Sequence, residues 1–151
     1  MADPELSNAE LSPAESAKQE LLKYMQGAEI GSPKLLAFSD VLQERELRES
    51  LNDLEGSKNS ADVQRLTLAQ MELALLRRQS SNRIVETKGY AKASDDIFDL
   101  ISKIDNLSRR ELLEQGIPPE RIEFNLDDTY RPFLYGLFRA LTTGEPFPED
   151  K

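Results

Sequence analysis

Helix start and stop signals recur along the whole sequence, and they limit its fold more than any other feature. Serine precedes proline at Ser12-Pro13 and again at Ser32-Pro33. Serine is a favoured N-cap and proline fits the first helical position, so each pair predicts the start of a helix. Glu15 completes a capping box with Ser12. Glycines follow where helices are expected to end or break, namely Gly27, Gly56, Gly89, Gly116 and Gly144.

Apolar residues between these signals recur every three or four positions, which is the period of an amphipathic helix. The pattern predicts an all-α fold of four to five helices. Ser108-Arg-Arg-Glu111 is predicted to be a second capping box. An aromatic C-terminal helix is predicted from about Asp127 to Thr142, with Pro132 in its first turn and an extended segment over residues 122–126 before it. The other helices are predicted over residues 13–26, 33–55, 61–88 and about 94–116.

The short polar turn at residues 57–60 separates two long helical segments, which favours antiparallel neighbours. We therefore predict a long helical hairpin over residues 33–88. The core stripe predicted for its second helix has a spacing close to a heptad and consists of Val63, Leu66, Ala69, Leu73 and Leu76. For the whole chain we predict a disordered acidic arm (1–11), a single helical domain (12–144) and an extended tail (145–151).

The chain has 151 residues, a formal net charge of −9, and neither histidine nor cysteine. This composition excludes disulfides, cysteine-ligated zinc, thiol nucleophiles and Ser–His–Asp triads. No serine or lysine stands in a pattern that generates a nucleophile, so we expect no enzymatic activity, no cofactor and no metal ion. No apolar run is long enough for a membrane span, and the N-terminus does not read as a signal peptide. We expect a cytoplasmic location, or the interior of a host cell or a virion if the source is viral.

One acidic motif suggests a different class of protein. Asp95-Asp96-Ile97-Phe98-Asp99 resembles the DDxxD motif with which isoprenoid synthases hold magnesium and a pyrophosphate. The resemblance covers five residues, and in a helix Asp95, Asp96 and Asp99 would share one face. The same acids also fit the first turn of a helix, where they complement the positive end of the helix dipole. A magnesium-dependent enzyme is the third functional class that the sequence leaves open.

A run of basic residues stands out in this acidic chain. Between Leu73 and Ser94 there are five basic residues and one acid, Glu86. This asymmetry favours contact with an acidic protein or with nucleic acid. The alternative is a solvated helix face that pairs with the acidic second helix. The five residues, which we call the basic patch, are Arg77, Arg78, Arg83, Lys88 and Lys92.

The last helix and the tail carry a second candidate surface. Six of the ten aromatic residues lie between Phe124 and Phe147. The apolar positions of this helix cover more than one narrow stripe, and Phe147 stands between two prolines, as expected of an extended anchor for a groove. A helix docked only on its own core is the alternative. The residues predicted to bind a protein partner are Leu134, Tyr135, Phe138, Leu141 and Phe147.

These features predict a non-enzymatic helical assembly or adaptor subunit of a larger complex. Long helices with polar breaks in their apolar stripes, such as residues 77–82, cannot all be buried within one small monomer, so we expect self-association or docking to a partner protein. No membrane partner is expected. The alternative function is a nucleic-acid-associated assembly factor, in the style of small viral packaging subunits or scaffolding proteins, which would use the basic patch.

Overall fold

In a computed structural model of the protein, the structure describes residues 11–144, without the side chains of residue 124 and residues 127–130. The all-α fold is confirmed, and no strand occurs within this range. The arm predicted over 1–11, apart from Leu11, and the tail predicted over 145–151 lie outside the described residues. The helices are α1 (Pro13–Met25), α2 (Pro33–Leu54), α3 (Ser60–Glu86), α4 (Tyr90–Glu114) and α5 (Ile122–Thr143), with a 3₁₀ turn (Pro119–Arg121) before α5.

Local capping explains where the first two helices begin. The Ser12 hydroxyl accepts a 3.1 Å hydrogen bond from the backbone N–H of Glu15. Ser32 caps α2 in the same way, through a 3.3 Å bond from the N–H of Leu35. Each cap satisfies one of the N–H groups that a helix leaves without an intrahelical acceptor. The two helix starts predicted from Ser-Pro are therefore confirmed at the level of single hydrogen bonds.

The described residues form two compact units. Gly31–Asp95 makes one, which we call the hairpin unit, and the residues before Gly31 together with those after Asp95 make the other, the terminal unit. Helix α4 contributes its first six residues to the hairpin unit and the rest to the terminal unit. The prediction of a single helical domain over 12–144 stays a prediction.

Helices α2 and α3 pack against each other in the hairpin unit. Asp40 on α2 accepts a hydrogen bond from Arg83 on α3, whereas Glu44, one turn later on α2, pairs with Arg77. The residue number on α3 falls as the residue number on α2 rises, so the two helices run antiparallel. The predicted hairpin over 33–88 is confirmed.

Helices α1 and α4 also run antiparallel in the terminal unit. The N–H of Ala14 donates to the Glu111 carboxylate at 2.8 Å, near the start of α1 and the end of α4. At the other end, the Tyr24 hydroxyl donates to Asp96 at 3.1 Å. Helix α5 is joined to this pair by contacts from both helices, since Lys18 of α1 lies 5.6 Å from the centre of the Phe133 ring and Arg109 of α4 forms an ion pair with Glu123.

Two details of α4 correct the sequence prediction. The helix begins at Tyr90 rather than near Ser94. It also continues without a break through Ser108, which is buried, so Ser108-Arg-Arg-Glu111 is not a capping box within α4. Glu111 does cap a helix, but that helix is α1, through its bond from Ala14. The predicted capping box was therefore wrong, because Glu111 acts on a helix that is distant in sequence and not on its own.

Helix α5 begins earlier than predicted, at Ile122 rather than near Asp127. Ile122 and Leu126 are both buried, and their spacing of four places them on one side of a helix. The segment predicted to be extended is therefore helical. As a consequence, Pro132 lies inside α5 and not in its first turn. The predicted aromatic C-terminal helix itself is confirmed.

Candidate interaction surface

Helix α3 is covered along a single narrow stripe. Seven of its residues are buried or half-buried, and the others are all exposed. The covered residues alternate in spacings of four and three, which is a heptad repeat of the kind found where two helices pack along their length. We call them the inner stripe: Asp62, Leu66, Ala69, Leu73, Leu76, Ser80 and Arg83.

Most of the inner stripe matches the sequence prediction, with one correction. Leu66, Ala69, Leu73 and Leu76 are covered, as predicted. Val63, which was predicted in the same stripe, is 47% exposed. The covered residue at that turn is Asp62, whose carboxylate accepts a 2.8 Å hydrogen bond from Ser57 in the turn before α3.

A second heptad stripe runs along the outside of α3. Its eight residues follow spacings of three and four, and every one of them is exposed. At 100° per residue, the middle of this stripe lies on the side of α3 away from the inner stripe. We call it the outer stripe: Ala61, Gln64, Leu68, Met71, Leu75, Arg78, Asn82 and Val85.

Three large apolar side chains occupy the centre of the outer stripe. Leu68 is 58% exposed, Met71 57% and Leu75 65%. Single apolar residues on a surface are ordinary, but neighbours in one row form a patch, and such patches mark binding surfaces. The sequence reasoning missed this row, although the spacing of Leu68, Met71 and Leu75 is visible in the sequence.

The buried carboxylate of Asp40 connects α2 with α3 and with the start of α4. Asp40 is 3% exposed and accepts three hydrogen bonds, from Tyr90 at 2.7 Å, from Arg83 at 2.6 Å and from Gln79 at 3.2 Å. Burial raises the pKa of the Tyr90 phenol to about 12, and the Asp40 carboxylate acts in the same direction. A carboxylate that accepts this many bonds is satisfied, so this cluster positions α2, α3 and the start of α4 rather than offering a free binding group.

The residues of the basic patch differ in their surroundings. Arg83 is held by Asp40, and Arg77 lies 3.5 Å from a carboxylate oxygen of Glu44. Both cations therefore serve the hairpin itself, as the alternative reading of the patch anticipated. Arg78, Lys88 and Lys92 are exposed. Of these, Arg78 belongs to the outer stripe, beside its apolar centre.

The residues of the C-terminal helix that are predicted to bind a partner differ in how far they are exposed. Leu134 is 1% exposed, whereas Tyr135, Phe138 and Leu141 are half-buried. The guanidinium of Arg131 lies 5.7 Å from the centre of the Tyr135 ring, within the range of a cation–π contact. Phe147 lies outside the described residues. Three of the five predicted residues thus retain some exposed surface on α5.

The acidic motif is partly used within the fold. Asp96 accepts the 3.1 Å hydrogen bond from Tyr24, and burial together with this carboxylate raises the pKa of Tyr24 to about 12. Asp95 and Asp99 are exposed. Within residues 11–144, as far as their side chains are described, no group of three or more acidic side chains is placed to hold a metal ion.

The last two findings concern membrane spans and known proteins. In the described part of the chain, no helix combines the length and the apolar character needed to cross a membrane. No family model matches the sequence, and no curated protein or solved structure matches it either.

Proposed function

We propose that this protein is a non-enzymatic helical assembly or adaptor subunit that binds protein through the outer stripe of α3. The observation that carries the proposal is the row formed by Leu68, Met71 and Leu75, each more than half exposed. Removing apolar surface from water stabilises a complex by about 25 cal/mol per Å². A partner helix laid along this row would cover all three side chains at once.

The shape of the surface supports a helical partner. The outer stripe repeats every seven residues along the 27-residue length of α3. A straight heptad row offers a regular series of holes for the side chains of a second helix. A groove for an extended peptide would need a concave floor, which one side of a single helix does not provide.

Helix α5 supplies a second contact in this proposal. Tyr135, Phe138 and Leu141 keep part of their surface exposed. Aromatic side chains are enriched at the centres of protein interfaces because they cover much area with few rotatable bonds. A subunit that carries a contact surface on each of its two units can join two partners, which is what an adaptor does.

Position-specific photo-crosslinking tests the proposal. Met71 in the outer stripe and Gln70 beside it are both exposed on α3, but Gln70 points away from the row. A photo-reactive phenylalanine analogue at position 71, introduced in the cells that make the protein, is expected to form a covalent adduct with a protein, and the same analogue at position 70 is not. The proposal is contradicted if position 71 gives no protein adduct, or if both positions give the same adducts.

Nucleic-acid association through the basic patch is a second candidate. Its support is that Arg78, Lys88 and Lys92 are exposed in one stretch of an acidic chain. Its weakness is that Arg77 and Arg83 are already engaged by carboxylates. Binding to DNA or RNA that weakens steeply with salt, and is lost in the double variant Arg78→Glu/Lys88→Glu, would favour this function. Salt-insensitive or absent binding would remove it.

A further inference from the structure

We infer that the partner of the outer stripe is a second copy of this chain, with the two α3 helices paired antiparallel about a two-fold axis. This inference rests on the proposed function and names the partner for the same surface. It depends on how the eight residues of the stripe match each other when the helix is laid against itself.

In one antiparallel register, every residue of the outer stripe faces a residue of the same stripe in the second copy. Met71 faces the partner's Leu75, and by symmetry Leu75 faces the partner's Met71, so the largest apolar side chains meet at the centre. At the two ends, Ala61 faces the partner's Val85, a small residue against a larger one. Between them, Gln64 faces the partner's Asn82, and two amides can satisfy each other by hydrogen bonds. In a two-fold interface each of these pairs occurs twice.

The charge on Arg78 selects the antiparallel arrangement. In a parallel pair, residues of the same number face each other, so Arg78 would meet the partner's Arg78 within the seam, next to its apolar centre. Two like charges in that position repel, and neither guanidinium would have a counterion. In the antiparallel register, Arg78 faces the partner's Leu68. Its aliphatic stem can cover that leucine while its guanidinium reaches water at the edge.

The size of the apolar row predicts a weak dimer. Specific interfaces of standard size bury about 800 Å² per partner. One helix whose three central apolar residues are flanked by Gln64 on one side and by Arg78 and Asn82 on the other offers less than that. We therefore expect monomer and dimer to exchange, with the dimer fraction rising with protein concentration.

Sedimentation equilibrium across a series of concentrations tests the pairing. We expect the wild-type chain to show a concentration-dependent dimer. Leu75→Asp places a charge in the central layers and is expected to raise the dissociation constant at least about tenfold. Val63→Asp is the matched control, because Val63 is also exposed on α3 but lies outside the outer stripe, and it should dimerise like the wild type. Circular dichroism shows whether both variants keep their helices.

Single cysteines test the register, since the natural chain has none. Positions 61 and 85 are 24 residues apart, or about 36 Å along the helix. Mixing Ala61→Cys with Val85→Cys under mild oxidation is expected to give the mixed disulfide in preference to either homodimeric one. A predominance of 61–61 and 85–85 disulfides would show parallel pairing and overturn the register that we infer.

The outcomes separate this inference from the function on which it rests. A chain that remains monomeric at millimolar concentration, while position 71 crosslinks to a different protein, overturns self-pairing and leaves the adaptor function in place. Equal dimerisation of Leu75→Asp and wild type overturns the use of the outer stripe for self-pairing. A monomeric chain with no crosslink at position 71 removes both.

Discussion

The hydroxyl of Tyr90 donates a 2.7 Å hydrogen bond to the carboxylate of Asp40, which is the residue that also holds Arg83 of α3. Tyr90 is the first residue of α4, and Asp40 lies in the first half of α2. One buried acid thus fixes three helices of the hairpin unit relative to each other. The outer stripe faces away from this cluster because the inner stripe, with Arg83 in it, faces towards it.

Replacing the buried acid should destabilise the protein strongly. In Asp40→Asn the guanidinium of Arg83 loses its counterion in a site where its side chain is only 26% exposed. We expect the free energy of unfolding to fall by about 2–3 kcal/mol, measured by urea denaturation. Glu44→Gln is the control, because its partners Arg77 and Arg48 are 55% and 57% exposed, and it should cost less than about 1 kcal/mol. Equal losses in the two variants would contradict the structural role of Asp40.

The phenols of Tyr24, which is half-buried, and of Tyr90, which is buried, predict how stability depends on alkaline pH. Burial raises the pKa of Tyr24 and of Tyr90 to about 12 in the folded chain, against about 10 for an exposed tyrosine. Between these values the unfolded chain has lost the phenol protons while the folded chain keeps them. The folded state therefore binds more protons, and the free energy of unfolding should fall as the pH rises from about 10 to about 12.

Absorbance titration of tyrosine ionisation checks this prediction. Two phenols of the wild-type chain should titrate near pH 12, and Tyr24→Phe and Tyr90→Phe should each remove one of them. Each variant should also lose stability less steeply between pH 10 and pH 12 than the wild type does. A wild-type chain whose tyrosines all titrate near pH 10 while it remains folded would contradict the surroundings described for the two phenols.

Glu111 should stabilise a helix that is 97 residues away in sequence. Its carboxylate accepts the N–H of Ala14 in the first turn of α1, where a negative charge also complements the helix dipole. Glu111→Ala should lower the free energy of unfolding by about 1–2 kcal/mol, as expected for loss of a charge-assisted hydrogen bond. Glu114→Ala removes an exposed acid from α4, the helix that also carries Glu111. It should change the free energy of unfolding by less than about 0.5 kcal/mol. Similar losses in both variants would show that Glu111 does not act as a cap.

Local signals predicted the parts of the fold that depend on local interactions. The starts of α1 and α2 follow from Ser12 and Ser32, whose capping bonds reach only three residues along the chain. The start of α4 was misplaced because the position of Tyr90 is set by Asp40, fifty residues earlier. Local spacing predicts that Glu111 forms a capping box with Ser108, and no local pattern indicates that its carboxylate accepts a hydrogen bond from Ala14 instead.

The candidate surface was predictable only in part for a related reason. Periodicity shows that α3 carries apolar residues on more than one side, but it does not show which side a neighbouring helix covers. The covered side is set by α2, which packs against α3. Leu68, Met71 and Leu75 lie on the other side and stay exposed. The basic patch was identified correctly as a charge asymmetry, yet the partners of Arg77 and Arg83 lie on α2 and could be assigned only from the fold.

Methionine oxidation provides the most direct measurement of whether the outer stripe is covered by protein. Met71 is 57% exposed and Met25 is fully buried, so mild peroxide treatment of the dilute purified chain should oxidise Met71 quickly and Met25 slowly. In the cells that make the protein, at its natural concentration, Met71 should be protected several-fold relative to the purified chain, while Met25 remains slow in both. If Met71 is oxidised in those cells as fast as in the dilute purified chain, the outer stripe is not a binding surface and the proposed function is wrong.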